Sequence, residues 1–139
     1  MELSLKNNMD WHYTYLEIAK LISKHSKAER NKVGAILVKN NRIISIGYNG
    51  TPSGFQNSCE LNGITRPEVL HAESNCLSKC ARSIESSEDA ILYVTLSPCL
   101  ECAKLIIQCG IKEVYYNEAY HKVDGIELLK KANIFCYGF

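Results

Sequence analysis

Two short motifs rich in metal-binding side chains constrain this chain more than any other feature. The first is His71-Ala72-Glu73 and the second is Pro98-Cys99-Leu100-Glu101-Cys102, with twenty-four residues between them. Zinc favours tetrahedral coordination by nitrogen and sulfur, and a catalytic zinc site keeps one of its four positions for water. The motifs supply one imidazole and two thiolates, so the fold has to bring both segments to one point. We therefore predict a metal site held by His71, Cys99 and Cys102.

Length and composition predict a single domain and argue against a long nucleic acid as its partner. A chain of 139 residues can bury one core but is too short for two, so we predict one domain over residues 1–139. Sixteen basic and fifteen acidic side chains give a net charge of +1. Long nucleic acids normally require a basic face, so we expect no long nucleic-acid partner.

The N-terminal sequence MELSLKNNMDWHY lacks the charged and apolar segments of a secretory signal. No apolar run is long enough to cross a bilayer. We therefore expect a soluble cytoplasmic protein without a membrane partner. Seven cysteines in such a setting predict reduced thiols and metal binding rather than a disulfide framework.

The first part of the chain predicts a helix followed by a β-hairpin. Asp10 is a suitable N-cap, and apolar residues recur at helical spacing from there to about Ser26. Val33–Val38 and Arg42–Tyr48 are short apolar runs on either side of Asn40-Asn41, a pair that favours a tight turn.

A long loop and then alternating elements follow the hairpin. Residues 49–68 are rich in Gly, Pro, Ser and Asn, and we expect an ordered loop with a functional role. The remaining predicted elements are a helix from Leu70 to about Ile84, a strand from Ile91 to Leu96, a helix that opens at Pro98-Cys99 and is capped by Gly110, a strand from Lys112 to Tyr116, a helix from Asp124 to Ala132 and a strand from Ile134 to Tyr137. This alternation predicts an α/β fold with helices on both faces of a mixed sheet.

Both metal-binding motifs fall at predicted helix starts, where backbone N–H groups and the helix dipole favour thiolates. Glu73 follows His71 by two residues and can reach a bound water without being a ligand. One His, two Cys and a nearby Glu are the signature of zinc-dependent nucleobase deaminases, in which the Glu moves protons. In this reaction water attacks C4 of the base and a tetrahedral centre forms there. The backbone N–H of Ala72 and the carbonyl of Ser97 are the nearest polar groups that would stabilise this centre.

A purely structural zinc site is the alternative, and it needs a fourth protein ligand. The sequence offers five further cysteines for that role: Cys59, Cys76, Cys80, Cys109 and Cys136. Composition and spacing leave this alternative open.

From about Asp10 to Phe135 the chain resembles the deoxycytidylate (dCMP) deaminases of the cytidine and deoxycytidylate deaminase superfamily. Besides the metal motifs, the resemblance rests on Val33-Gly34-Ala35, on the segment GYNGTPSG at 47–54, and on the segments ECAKLIIQ at 101–108 and GIKEV at 110–114. It implies a cytidine deaminase-like three-layer α-β-α sandwich with a five-stranded mixed sheet. It also implies zinc-dependent conversion of dCMP to dUMP and ammonia, which feeds dTMP synthesis.

The resemblance further implies roles for residues outside the metal motifs. Asn49 corresponds to a residue that contacts the sugar hydroxyl, although a turn role for it is open. Tyr120 matches a residue near the 5′-phosphate, and Arg30 and Lys32 are basic candidates for a phosphate, whether of the substrate or of a regulator. The alternative for either basic residue is a solvated position on the surface.

Regulation and assembly are expected from the same resemblance. It implies activation by dCTP and inhibition by dTTP, with Mg²⁺ as the ion expected to accompany the triphosphate. The candidates for this regulatory site are Gly47, Tyr48, Asn49, Gly50 and Lys32. The resemblance also implies a homo-oligomer, commonly a hexamer. A second, structural zinc would take part of its ligands from the long loop, where Cys59 is the only obvious one. We therefore expect one zinc per chain. Deamination of another nucleobase, in transfer RNA or a free nucleoside, and a non-catalytic nucleotide sensor remain as alternative functions.

Overall fold

The computed structural model describes residues 2–139 of the chain, with side chains described from Met9 onward. Residue 1 of the predicted domain lies outside the described residues. The elements in chain order are α1 (Glu2–Ser23), β1 (Gly34–Lys39), β2 (Arg42–Tyr48), β3 (Glu60–Leu61), β4 (Ile64–Thr65), α2 (Ala72–Ala81), β5 (Ile91–Leu96), α3 (Leu100–Gln108), β6 (Glu113–Glu118), α4 (Asp124–Lys131) and β7 (Phe135–Gly138).

Five of the strands form one mixed sheet in the order β2-β1-β5-β6-β7. β1 runs antiparallel to both of its neighbours, whereas β5, β6 and β7 are parallel to one another. Parallel neighbours need a crossover, and α3 and α4 supply the two crossovers that the sequence requires. The predicted five-stranded mixed sheet is confirmed.

Strand β1 shows why helices cover both faces of this sheet. Its side chains alternate, so Ala35 and Leu37 face one side while Ile36 and Val38 face the other, and all four are buried. Ile36 and Val38 pack with α1, and Ala35 and Leu37 belong to the core shared with α2, α3 and α4. Because both faces are apolar, the sheet has to be covered twice, and the predicted three-layer sandwich is confirmed.

The starts of α1 and α2 differ from the sequence prediction. The N-cap prediction for Asp10 is wrong, because α1 begins at Glu2 and runs through Asp10, whose carbonyl accepts a hydrogen bond from the Thr14 hydroxyl at 3.0 Å. A capping residue marks a helix start only where the preceding residues cannot continue the helix. Helix α2 begins at Ala72 rather than Leu70, because the backbone of Leu70 pairs with that of Gly50.

The long loop after β2 contains a small hairpin that the sequence prediction missed. β3 and β4 pair antiparallel, and the two turn residues between them, Asn62 and Gly63, both have positive φ. Asn-Gly is a strong signal for this turn, but only two residues pair on each side, which is too short to give an alternating pattern. The loop is ordered, as predicted, and its hairpin lies next to the cavity described below.

The predicted turn and cap residues adopt the conformations that their sequences favour. Asn40 and Asn41 both have positive φ and close the β1–β2 hairpin. Gly110 has φ of 77° at the end of α3, and the N–H of Ile111 reaches back to the carbonyl of Ile106 at 3.3 Å. That pattern is a Schellman cap, so the predicted role of Gly110 is confirmed.

None of the helices described here has both the length and the apolar character needed to span a membrane.

The two-sided core predicts a large difference between two isoleucines of the same hairpin. Ile36 is fully buried under α1, whereas Ile43 is 42% exposed. We expect Ile36→Ala to lower the free energy of unfolding by about 2–5 kcal/mol, because it leaves a cavity in the core. Ile43→Ala is the matched control and should cost less than about 1 kcal/mol. Urea unfolding curves of the two variants test this, and equal losses would contradict the assignment of Ile36 to the core.

Candidate metal centre and its cavity

The three predicted metal ligands lie at the first turns of two helices on the same face of the sheet. His71 is the N-cap of α2 and Cys99 is the N-cap of α3, and Cys102 is the third residue of α3. Both N-caps have extended backbone, and neither side chain caps its own helix. The side chains are therefore free to face each other, and the helix N-termini favour negative charge at the point where they meet.

The distances between the donor atoms fit a tetrahedral ion. Nδ1 of His71 lies 3.5 Å from Sγ of Cys99 and 3.4 Å from Sγ of Cys102. A tetrahedral zinc with ordinary Zn–S and Zn–N bonds holds its donors about 3.5 Å apart. One imidazole nitrogen and two sulfurs are also the donors that zinc prefers. The donor set and its spacing are thus compatible with a zinc ion.

The number of protein ligands indicates whether this metal site is catalytic or structural. Within the described part of the chain, no fourth His, Cys, Asp or Glu joins the three ligands. The five cysteines that would have supplied one, at positions 59, 76, 80, 109 and 136, are free thiols outside the group. Three protein ligands and one open position is the arrangement of a catalytic zinc site.

Glu73 is the buried carboxyl group of the site. It is the second residue of α2 and its side chain is only 4% exposed. Burial raises the pKa of Glu73 to about 7, while His71 and the local hydrogen bonds act in the opposite direction. A carboxyl group with a pKa near neutrality both accepts and donates a proton readily, which suits a general acid–base residue.

The pKa values of the two thiols of the site shift in opposite directions. Hydrogen bonds from Cys102 and then from His71 lower the pKa of Cys99 to about 3, whereas the same contact with Cys99 raises the pKa of Cys102. The hydrogen bond to Cys99 raises the pKa of His71. A lowered pKa favours the thiolate form of Cys99, and thiolates are the form in which cysteine binds metals.

The site opens into a cavity of about 420 Å³. Of the residues predicted to contact the metal or the substrate, the structure brings together at this cavity all but the buried Cys102 and the phosphate candidate Lys32: Arg30, Asn49, His71, Ala72, Glu73, Ser97, Cys99 and Tyr120. Pockets of this size hold small molecules such as a nucleotide. The cavity lies at the carboxyl end of β5, the usual place for a ligand in an α/β sheet.

Asn49 fixes the wall of the cavity. Its Oδ1 accepts the N–H of Val33 at 2.9 Å, and its Nδ2 donates to the carbonyl of Asn31 at 2.8 Å. Its φ is not positive, so the alternative of a left-handed turn residue is wrong. Each amide atom still has capacity for one further hydrogen bond. Contact with a sugar hydroxyl therefore stays a prediction, beside a clear role in holding the 31–33 segment.

Ser97 and Tyr120 are linked to each other. The Ser97 side chain is buried, and its Oγ accepts the backbone N–H of Tyr120 at 2.7 Å. The Tyr120 ring lies beside His121, with 4.2 Å between ring centroids. His121 is exposed, and it also lines the cavity.

Most regulatory candidates lie away from the cavity. Gly47 is buried against α2, where an added Cβ would lie 2.5 Å from the Cys76 nitrogen, so close packing accounts for this glycine. The carbonyl of Tyr48 accepts a hydrogen bond from Asn75, and Gly50 pairs with Leu70. Binding of a regulatory nucleotide by these residues stays a prediction.

Lys32 is separated from the other regulatory candidates. It lines a smaller cavity of about 140 Å³ together with Lys20 and Asn117, on the side of the sheet where α1 lies. Its predicted contact with a nucleotide is untested.

Sequence reasoning missed several residues of the cavity wall. Glu60 of β3 accepts hydrogen bonds from the backbone N–H groups of Glu29 and Arg30 at 2.9 and 3.3 Å. Glu60 therefore joins the hairpin to the segment that carries Arg30. The other unpredicted lining residues are Ala28, Asn31, Val33, Cys59, Thr65, Val69, Leu96 and Ala119. The sequence signals for the hairpin residues among them were the length and composition of the 49–68 loop and its Asn62-Gly63 pair.

The ligand geometry predicts a specific loss of metal in one cysteine variant. Cys99→Ala removes one of three donors, so we expect purified protein to lose most of its zinc, measured by mass spectrometry of the metal. Cys109→Ala is the matched control, because Cys109 is a half-buried free thiol at the other end of α3. Its zinc content should equal that of the unmodified protein. Full zinc occupancy in Cys99→Ala would contradict the ligand set.

Comparison with known proteins places the chain in a family. Residues 9–118 match the model described as "Cytidine and deoxycytidylate deaminase zinc-binding region". Among curated relatives, the deoxycytidylate deaminase of Enterobacteria phage T4 is 40% identical over 78% of both chains, and that of Homo sapiens is 37% identical over 84% of this chain and 70% of the relative. The solved structure of a dCMP deaminase from the cyanophage S-TIM5, in complex with dCMP and dUMP, superposes with a TM-score of 0.91 at 46% identity, covering 94% of this chain and 97% of that one. The chain belongs to the cytidine and deoxycytidylate deaminase family.

Proposed function

We propose that this protein catalyses the zinc-dependent hydrolysis of dCMP to dUMP and ammonia, a reaction that supplies the precursor of dTMP. One observation carries the proposal: a His/Cys/Cys donor set lies at a nucleotide-sized cavity that His71, Cys99 and the buried Glu73 all line. The likeness to a dCMP deaminase structure containing dCMP and dUMP supports the choice of substrate.

The residues of the site account for the proton transfers of this reaction. Glu73 takes a proton from the attacking water and delivers it to N3 of the cytosine ring. The water oxygen bonds to C4, Glu73 passes the remaining proton of the resulting C4 hydroxyl to the amino nitrogen, and the C4–N bond breaks so that ammonia leaves and a carbonyl remains at C4. Zinc, held by His71, Cys99 and Cys102, would polarise the water and lower its pKa.

Backbone groups beside the ligands are suited to hold the base. Ala72 is the first residue of α2, so its N–H has no partner within the helix. This N–H is available to donate a hydrogen bond to the oxygen that becomes attached to C4. We assign the Ser97 carbonyl to accept a hydrogen bond from the amino group that leaves. Ser97 itself is fixed on both sides, since its N–H donates to Glu118 and its hydroxyl accepts from Tyr120.

The cavity mouth offers groups for the rest of a nucleotide. Arg30 is exposed and lines the cavity, and Tyr120 is half-buried in the same wall. We assign both to the 5′-phosphate and Asn49 to the sugar hydroxyl. An Arg guanidinium matches a phosphate with paired donors, which favours dCMP over deoxycytidine.

A substrate panel with two glutamate variants tests the reaction. Loss of cytosine absorbance is measured with dCMP, cytidine, deoxycytidine and dCTP, and we expect dCMP to be turned over best. Glu73→Gln should keep its zinc and lose activity by about 100- to 10,000-fold, because it cannot transfer the proton. Glu101→Gln is the matched control, since Glu101 is also the second residue of a ligand-bearing helix but is exposed and paired with Lys104.

Each outcome of the panel has a consequence for the proposal. Turnover of cytidine or deoxycytidine in preference to dCMP would favour the alternative of a deaminase that acts on a free nucleoside. Nucleotide binding without any turnover by zinc-loaded protein would favour a sensor. Activity that survives in Glu73→Gln would contradict the assignment of the proton-transfer residue.

The phosphate assignment predicts a loss that is specific for the nucleotide. Arg30→Ala should lower kcat/KM for dCMP by about 10- to 100-fold, because a charge-assisted hydrogen bond is lost. Turnover of deoxycytidine, which has no phosphate, should change little. Lys27→Ala is the matched control, because Lys27 is an exposed cation of the same segment outside the cavity. A uniform loss with both substrates would contradict the assignment.

We extend the proposal to regulation and assembly, for which the family resemblance is the support. dCTP should activate and dTTP should inhibit, with Mg²⁺ as the ion that accompanies the triphosphate. Repeating the dCMP assay with each triphosphate and Mg²⁺ tests this, and saturation curves that never change would refute it. Light scattering of the purified protein tests the expected homo-oligomer, a hexamer.

A further inference from the structure

Gly125, the second residue of α4, lies directly against the backbone that carries the metal ligand Cys99. Gly125 is buried, and a Cβ built on it would lie 2.8 Å from both the carbonyl carbon and the carbonyl oxygen of Cys99, with the Pro98 oxygen closer still. Real Cβ atoms essentially never approach other atoms within 3.0 Å. Since these are backbone atoms, they cannot rotate away as a side chain can.

The backbone of Cys99 has little room to give way. Pro98 is fully buried on one side of it. On the other side, the Cys99 carbonyl accepts the N–H of Ala103 at 2.9 Å, the first hydrogen bond of α3. A displacement of this carbonyl would therefore tilt the first turn of α3, which also carries Cys102.

Backbone conformation does not explain the glycine. The glycines with positive φ are Gly54, Gly63 and Gly110, and Gly125 is a helical residue outside that set. Within a helix, alanine is favoured over glycine by roughly 1 kcal/mol. The absence of a side chain at 125 is thus explained by the contact with residues 98 and 99 and by nothing in α4 itself.

We infer that Gly125 is a positioning residue for the metal centre. Through this glycine α4 packs directly against the Pro98–Cys99 peptide, and this contact sets the positions of the sulfur atoms of Cys99 and Cys102. The inference rests on the metal site used in the proposed function. Metal–ligand distances are held to within about 0.2 Å, so a shift of the Cys99 backbone larger than this misplaces the sulfur. Residues that support metal ligands typically change metal affinity by about 10- to 100-fold when they are mutated.

Two glycine-to-alanine variants test the inference. In Gly125→Ala, zinc affinity from competition with a chelator should fall by about 10- to 100-fold, and the sulfur-to-cobalt absorption bands of the Co²⁺-loaded protein should shift or weaken. Gly34→Ala is the matched control. Its Cβ would lie 2.6 Å from the backbone nitrogen of Ser23, so the clash is of the same kind, but it is made with α1 on the opposite face of the sheet. Its zinc affinity and Co²⁺ spectrum should match those of the unmodified protein.

The outcomes separate a metal-positioning role from a general packing role. Zinc affinity in folded Gly125→Ala equal to that of the unmodified protein would overturn the inference, and so would equal losses of affinity in both variants. If Gly125→Ala does not fold at 25 °C, the titration is repeated at 10 °C with sucrose, which favours the compact state. A chain still unfolded there, while Gly34→Ala folds, also overturns it, because Gly125 would then serve the whole fold.

These readouts need no substrate, so they are independent of the reaction. Unmodified protein that binds zinc with high affinity and does not turn over dCMP would refute the proposed function and leave the role of Gly125 intact. Normal turnover of dCMP by Gly125→Ala at limiting zinc would refute the role of Gly125 and leave the proposed function intact.

Discussion

The convergence of the first turns of α2 and α3 on one point is the contact on which the site depends. His71 and Cys99 are N-caps of these helices, and neither uses its side chain to cap its own helix. Three donor atoms lie within 4.8 Å of one another. A small deviation in either helix would separate them. The arrangement persists because both helices pack on the same face of the sheet, in one core with Ala35, Leu37 and Leu92.

Close backbone approach holds both ligand-bearing helices in place. Gly47 of β2 lies against α2, where an added Cβ would meet the Cys76 nitrogen at 2.5 Å and the Ala72 carbonyl at 2.7 Å. Gly125 of α4 lies in the same way against the start of α3. Backbone contacts of this kind transmit the position of the sheet and of α4 to the ligands without flexible side chains. They give the metal centre a rigidity that the ligands alone would not have.

The cavity is built from segments that are far apart in the chain. The 31–33 segment is tied to Asn49, the hairpin is tied to residues 29 and 30 through Glu60, and Tyr120 is tied to Ser97. Each tie joins a side chain to the backbone of another wall. The metal-binding end of the cavity is thus set by helix starts, and the open end by loops fixed through hydrogen bonds. The groups proposed for the chemistry and those proposed for substrate contact accordingly lie in different parts of the fold.

The sequence by itself determined the parts of this protein that local patterns encode. Short apolar runs that alternate with helical segments, the Asn40-Asn41 turn and the Gly110 cap predicted the layers and most of the elements. The two motifs predicted the donor set. Local signals failed where they compete or are too short, as at Asp10 inside α1 and in the hairpin of β3 and β4.

Tertiary structure alone decided the contacts between distant segments. The link from Glu60 to residues 29 and 30, the link from Ser97 to Tyr120, and the close approach of Gly125 to Cys99 join positions that no spacing in the sequence relates. The physical reason is that periodicity and turn propensity act between neighbours along the chain, whereas these contacts exist only after the sheet and its helices have packed.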